Sequence, residues 1–364
     1  LLTYLHIPFC HRICPYCSFY KHTPGSTPIG TFVDALLAEA ANRIPQLQEP
    51  PRTLYLGGGT PSMLSPTHLT RLFEGLANLI DFSALDEVTL EANPATFDTA
   101  KARLFRELGV SRVSLGIQSF DPAILATLGR EHTPDEAAEA VAILRDAGMP
   151  SVNIDLMFSI PGQSAGSWAQ TAARAISLRP DHISAYNLTY EEDTAFFESL
   201  RRGEVRPDED RDASHFHLAH DLLTAAGFDH YETSNYARPG KRSTHNEGYW
   251  SGEDYIGLGP SAVSTIRRIR TKNIPDTARY TEMTTSIGHA ASESETLGDD
   301  AWTLERIALG LRTSAGIPLD LLDESAKLRA AVLAEEGFVS LTKNHISVTP
   351  KGAALVDPIA SELC

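Results

Sequence analysis

Three of the chain's four cysteines, Cys10, Cys14 and Cys17, lie within eight residues of one another in the stretch YLHIPFCHRICPYCSFY, residues 4–20. Four cysteines in a chain of 364 residues do not make a disulfide framework, so metal or redox chemistry is the reading for the cluster. Cys364, at the far end of the sequence, is not expected to join it. A structural zinc site closes with four donors, and Cys-x3-Cys-x2-Cys would need His6, His11 or His22 to complete one. Thiolates also hold iron–sulfur clusters, which ordinarily take four. Three thiolates on a cubane leave one iron with an open coordination position, and an open position is where a metal centre does chemistry.

A second set of chemically able residues stands at the ends of short apolar runs: Gly58, Gly59, Thr60, Glu91, Gln118 and Asp155. The runs read as strands over 3–8, 53–59, 87–94, 112–119, 151–158 and 182–190. Segments of helical periodicity separate them, at 29–44, 66–80, 97–109, 135–148 and 167–178. A β/α alternation repeated six times implies parallel strands joined by helical crossovers. Polar and Gly-rich residues at the carboxyl ends of those strands favour a barrel over an open sheet, because barrel enzymes build their sites from the loops that follow the strands. The expected fold is therefore α/β, a partial (βα)6 TIM-like barrel.

Past a helical stretch near 209–226 the sequence turns rich in Gly, aromatic and polar residues, including HNEGYW at 245–250. The expected organisation is a barrel over 1–235, a connector over 236–285, and a small C-terminal α+β domain over 286–364, with two helices, a hairpin over 338–348 and a last helix in a winged-helix-like arrangement. Residues 284–300 read as a mobile linker. The formal charge of −16, from 31 basic and 47 acidic residues, argues against binding a phosphate backbone, so no nucleic-acid partner is expected. No apolar run approaches the eighteen residues of a membrane span, and the chain reads as cytoplasmic.

Cys-x3-Cys-x2-Cys after a first strand, with GGGTPS at 57–62 after the second, resembles the radical S-adenosylmethionine superfamily. That resemblance implies a 4Fe-4S cluster on Cys10, Cys14 and Cys17, with S-adenosylmethionine chelating the open iron and being cleaved to methionine and a 5′-deoxyadenosyl radical. YLHIPFCHRICPYC, LYLGGGTPSMLS, SLGIQSFDPAILATLGREH, NIDLMFSIPGQS and HNEGYW together resemble the branch that holds oxygen-independent coproporphyrinogen dehydrogenase and the HemW-type haem chaperones. By resemblance, Tyr4 lies near the cofactor, Tyr16 offers its backbone to the adenine, Gly58, Gly59 and Thr60 line the methionine end, and Glu91, Gln118, Arg130 and Asp155 complete the pocket. These types suit a small zwitterion: a Gly-rich bend exposes backbone groups, Arg pairs with a carboxylate, and acids hold amino and hydroxyl groups.

Within the branch, Phe19 stands where the dehydrogenase carries a further cysteine, and HemW-type chaperones have an aromatic there. HNEGYW is similar to the element associated with haem in the chaperones, which makes His245 the candidate haem contact. The expectation is a protein that binds haem and S-adenosylmethionine, receives electrons from a donor such as flavodoxin or ferredoxin, and passes haem to membrane haem proteins. A coproporphyrinogen dehydrogenase, or another radical enzyme such as a HemN-like methyltransferase, is the alternative.

Overall fold

The computed structural model describes residues 1–364. Six strands, β1 (Leu2–Ile7), β2 (Thr53–Gly58), β3 (Glu87–Ala92), β4 (Arg112–Gln118), β5 (Ser151–Phe158) and β6 (His182–Asn187), lie side by side in chain order, each parallel to the next. Helices α1 (Ile29–Arg43), α2 (Pro66–Ala77), α3 (Thr99–Glu107), α4 (Pro122–Thr127), α5 (Pro134–Asp146) and α6 (Ala165–Ser177) fill the crossovers. All six expected strands and all five expected helices form. The short α4 is additional, started by Asp121, whose carboxylate accepts from the N–H groups of Ala123 and Ile124.

Side-chain parity along the strands explains the architecture. Leu54 and Leu56, Val88 and Leu90, Val113, Leu115 and Ile117, and Val152, Ile154 and Leu156 are buried in one core with the apolar helix faces, such as Leu69, Leu72, Phe73 and Leu76 of α2. Each fully buried side chain of this kind contributes about 1.5–3 kcal/mol. The intervening residues, among them Tyr55, Glu91, Ser114 and Asp155, point the other way, into the barrel, and that inner face is polar.

Two further helices, α7 (Ala195–Arg201) and α8 (Glu209–Ala225), lead to a hairpin of β7 (Asp229–Glu232) and β8 (Asn235–Ala237), and β8 pairs antiparallel with β6. Next comes α9 (Thr244–Ser251), which carries HNEGYW. Then β9 (Tyr255–Leu258) pairs parallel with β1, and β10 (Val263–Ile266) and β11 (Ile269–Asn273) continue that edge. Glu39, fully buried on α1, ties this edge to the barrel by accepting from Arg43, Asn273, Tyr280 and the Gly259 N–H. Residues 284–300 are not a linker. They complete α10 (Thr277–Ile287) and form β12 (Ala291–Thr296), an edge strand paired with β11. The sheet runs β12-β11-β10-β9-β1-β2-β3-β4-β5-β6-β8-β7, with two free edges, so the barrel stays open.

The C-terminal part comprises α11 (Asp299–Leu311), β13 (Ile317–Pro318), α12 (Glu324–Glu335), β14 (Val339–Leu341), β15 (His345–Val348) and α13 (Val356–Leu363). Its three antiparallel strands, ordered β13-β15-β14, and its three helices enclose a separate core around Ile307, Leu311, Ala330, Ile346 and Leu363. It docks on the barrel beside β7. The Thr233 N–H donates to the Arg312 carbonyl at 2.9 Å, the Ser314 N–H to the Tyr231 carbonyl at 2.9 Å, and Arg312 pairs with the buried Glu232 at 3.0 Å. No helix is long and apolar enough to cross a membrane.

Candidate functional site

A cavity of about 920 Å³ opens at the carboxyl ends of the barrel strands and reaches down into the polar interior. Cys10, Cys14, Cys17, Tyr16, Gly58, Gly59, Thr60, Glu91, Gln118, Arg130 and Asp155 all line it. Eleven residues drawn from five strands or the loops after them thus converge on one space, and the C-terminal part adds Arg312 and residues 353–358 to its wall.

The cysteine loop is clipped at its base. The Cys10 N–H donates to the His22 carbonyl at 3.0 Å and the His22 N–H to the Pro8 carbonyl at 2.8 Å, while Phe9 between them is buried against Phe32. The Thr60 hydroxyl lies 3.6 Å from Cys10 Sγ, Arg130 Nη1 lies 3.7 Å from Cys14 Sγ, and the Lys21 amine meets the Cys17 carbonyl. Burial pushes the thiols of Cys10 and Cys17 up, and Cys14 adds to the rise at both, so loading a metal here releases protons.

Two of the three histidines that could complete a zinc site are held by other groups, while His11 is exposed and makes no side-chain hydrogen bond. Of the fourth donors a zinc site would need, His6 has Nδ1 3.0 Å from the Tyr4 hydroxyl and Nε2 2.7 Å from the Tyr20 carbonyl. His22 is engaged at both nitrogens, by the Thr23 carbonyl and by Thr277. Three thiols lining a cavity, flanked by Thr60, Arg130 and Lys21, are the residues that would hold an iron–sulfur cluster. Cys364 lies outside this group, exposed at the chain's end.

Above the thiols, Gly58 adopts φ +105°, and a Cβ there would stand 2.5 Å from the His6 ring. At Gly59 a Cβ would stand 2.7 Å from the Phe9 carbonyl oxygen. The Gly-rich bend is therefore required for the cysteine loop to approach β2. The Gly58 N–H donates to Glu91 Oε2 at 3.1 Å and the Tyr55 hydroxyl to Oε1 at 2.8 Å. Burial nevertheless pushes Glu91 up to about 7, with Asp155 adding to the rise.

Asp155 is likewise raised by burial, against the Ser114 and Asn153 donors at 2.9 and 2.7 Å. Gln118 ends β4 at φ 69°, in the left-handed region, the kind of backbone strain that persists where a site is built. Arg130 reaches inward to Asn93 Oδ1 at 2.5 Å and to the Gly116 carbonyl.

Two expected site residues do not join this wall. Tyr4 turns its hydroxyl to His6 Nδ1, and its ring lies 6.1 Å from that of Tyr55. His245 is 1% exposed at the opposite, amino-terminal end of the strands. Its Nδ1 is 2.7 Å from Thr53 Oγ1, its ring stacks on Tyr55 at 4.8 Å, and its Nε2 has no partner. The reason is the seat of α9: the carboxylate of Glu87 accepts from the N–H groups of Thr244 and His245 and from the Ser243 hydroxyl, which holds that helix end against the barrel floor. In this position His245 offers no nitrogen to a ligand in the cavity, whereas its neighbour Asn246 does line it.

Asn93, Arg112, Ser114, Ser184 and Asn246 also line the cavity without having been singled out. The signal for two of them was present in RVSLGIQ, where Arg112, Ser114, Gly116 and Gln118 alternate with Val113, Leu115 and Ile117. Phe19, 67% exposed, stands at the mouth.

The sequence profile of the Radical SAM superfamily matches residues 4–175. The chain is 33% identical over 362 residues to the heme chaperone HemW of Lactococcus lactis, an alignment spanning 97% of this chain and 94% of that one. To HemW of Mycobacterium tuberculosis it is 36% identical over 365 residues, 99% of this chain and 94% of that one. Its fold superposes on coproporphyrinogen III oxidase (HemN) of Escherichia coli, described as a radical SAM enzyme, with a TM-score of 0.85 at 25% identity, covering 100% of this chain and 89% of the other.

Proposed function

Since the chain belongs to the radical SAM superfamily and, within it, to the HemW-like family, we propose that it is a haem-handling protein that holds a 4Fe-4S cluster on Cys10, Cys14 and Cys17, binds S-adenosylmethionine at the cavity rim, and takes haem or a porphyrin into the space below. The observation that supports this best is the single cavity that joins the thiols, the Gly-rich bend and a polar floor large enough for a second ligand. A bound cluster with an open iron supplies one-electron reduction of the sulfonium.

The chain's own residues bind and orient. Gly58 and Gly59 let backbone groups approach the methionyl end, and Thr60 and Arg130 lend hydrogen bonds to the ligating sulfurs. Glu91, poised near neutral pH and already held by Tyr55 and Gly58, is fixed for an ammonium group or a ribose hydroxyl. Residues 353–358 and Arg312 of the C-terminal part close one side against water. Passage of haem to a membrane haem protein, and a flavodoxin- or ferredoxin-like electron donor, belong to the same proposal.

Anaerobic reconstitution with iron and sulfide tests it. The protein is expected to show a reduced-cluster paramagnetic signal that S-adenosylmethionine perturbs, to bind haem, and to form no protoporphyrinogen from coproporphyrinogen. Robust decarboxylation would make it a dehydrogenase instead, and zinc in place of iron would remove the cluster altogether.

A further inference from the structure

Arg112 opens β4, and the same-face residues Arg112, Ser114, Gly116 and Gln118 line the cavity from floor to rim. The residue is 4% exposed, and its Nε and Nη1 are sealed from solvent with no hydrogen-bond partner. The acids around the floor are already engaged. Asp155 accepts from Ser114 and Asn153, and Glu232 accepts from Arg312, Asn235 and the Ser234 N–H. The charge of Arg112 is felt by the buried Asp155, but no acceptor meets its Nε and Nη1, and buried donors left unfilled in this way are costly and call for a partner from outside the chain.

The partner's chemistry follows from the surroundings. A planar fork of donors matches a carboxylate. Met157, Phe158 and Leu188 stand at the carboxyl ends of β5 and β6 and, with Phe216, give the upper cavity an apolar wall, which suits a flat, greasy body whose carboxylate reaches down to the floor. The methionyl carboxylate of S-adenosylmethionine is the other available source. Arg112 and Gln118, however, are the two ends of a seven-residue strand, their Cα atoms about 20 Å apart, and the Gly-rich bend and the thiols gather at the Gln118 end.

We propose that Arg112 is the carboxylate subsite of the cavity and binds a propionate of the tetrapyrrole held there. This rests on the haem-handling reading above and adds the group by which the macrocycle is oriented.

Absorbance titrations of the reconstituted full-length protein with haem and with haem dimethyl ester test it. The wild type is expected to bind haem at least about tenfold more tightly than the ester, and Arg112→Met to bring haem down to the ester's affinity while ester and S-adenosylmethionine binding stay within about twofold. Arg112→Lys, which keeps the charge and loses the fork, is expected to keep part of the preference, and it serves if the Met variant does not fold. Equal binding of haem and ester by the wild type overturns the inference and leaves the haem-handling reading intact. So does a preference that survives in Arg112→Met with a lowered melting temperature, which makes the guanidinium part of the fold. A loss confined to S-adenosylmethionine also overturns it. Failure of both haem and ester to bind overturns the inference and the reading together.

Discussion

Arg130 Nη1 sits 3.7 Å from Cys14 Sγ although 116 residues separate the two in sequence. The same guanidinium bonds Asn93 Oδ1 and the Gly116 carbonyl, so it braces the cysteine loop against the ends of β3 and β4. Arg130→Gln is therefore expected to leave three thiols that still take up iron, but with weaker retention and S-adenosylmethionine affinity reduced about tenfold, the worth of one charge-assisted hydrogen bond. Iron and sulfide analysis after desalting, with equilibrium dialysis of the nucleotide, checks both. Unchanged retention and affinity would make Arg130 a spectator.

The close approach at Gly58 predicts a graded cost. Gly58→Ala combines left-handed strain with a contact 2.5 Å from the His6 ring, whereas Gly148, at φ +73°, has nothing within 4 Å of the position a Cβ would take. Gly148→Ala is expected to lose about 1 kcal/mol from strain alone, and Gly58→Ala about 2 kcal/mol or more. Urea unfolding of both variants beside the wild type measures the difference. Equal losses would mean that the bend relaxes without resisting.

Which parts of this were legible in the sequence depends on whether a residue's burial shows in its own neighbourhood. The six strands and their site ends were legible because apolar residues alternate with polar ones, as in β4, and parity alone sends Ser114 and Gln118 inward. β12, ASESET, was not. All six residues are exposed, and it is a strand only because its backbone pairs with β11, which no hydrophobic period can announce. HNEGYW was legible as a distinctive element, yet the direction of His245 was not. That direction is set by Glu87, 158 residues earlier, which collects the N–H groups at the start of α9.

The buried histidines predict acid lability. Burial holds His6 and His132 down to about 4 and His245 to about 3, against an ordinary 6.5, so their neutral forms favour the fold above pH 6.5 and lose that advantage as pH falls toward 4. Glu91 works the other way. Pushed up from 4.5 to about 7, it favours the fold at low pH and loses that contribution as pH rises through 7. Asp155, also raised by burial, acts with Glu91; each proton contributes about 1.4 kcal/mol per pH unit, and three histidines outweigh these two acids. Unfolding free energy is expected to fall on acidification from pH 6.5 to 4.5, and more steeply in Glu91→Gln, where one of the opposing groups is gone. A shallower slope in that variant would contradict the assignment.

His245 gives the sharpest test of where haem lies. The ring is a packed part of the barrel floor, stacked on Tyr55 and bonded to Thr53, so His245→Ala opens a cavity and strands the Thr53 hydroxyl, at an expected cost of about 3 kcal/mol. If haem occupies the cavity with α9 seated as it is here, the absorption spectrum of bound haem is expected to be the same in His245→Ala as in the wild type, because no nitrogen of this ring reaches that space. A changed spectrum at unchanged stability would mean that haem draws the ring out of its seat. For that to happen, haem must release the Glu87 clamp on α9, and Glu87→Gln should then strengthen haem binding, since the helix end would part from the floor more easily. The two variants measured side by side separate a floor residue from an axial ligand.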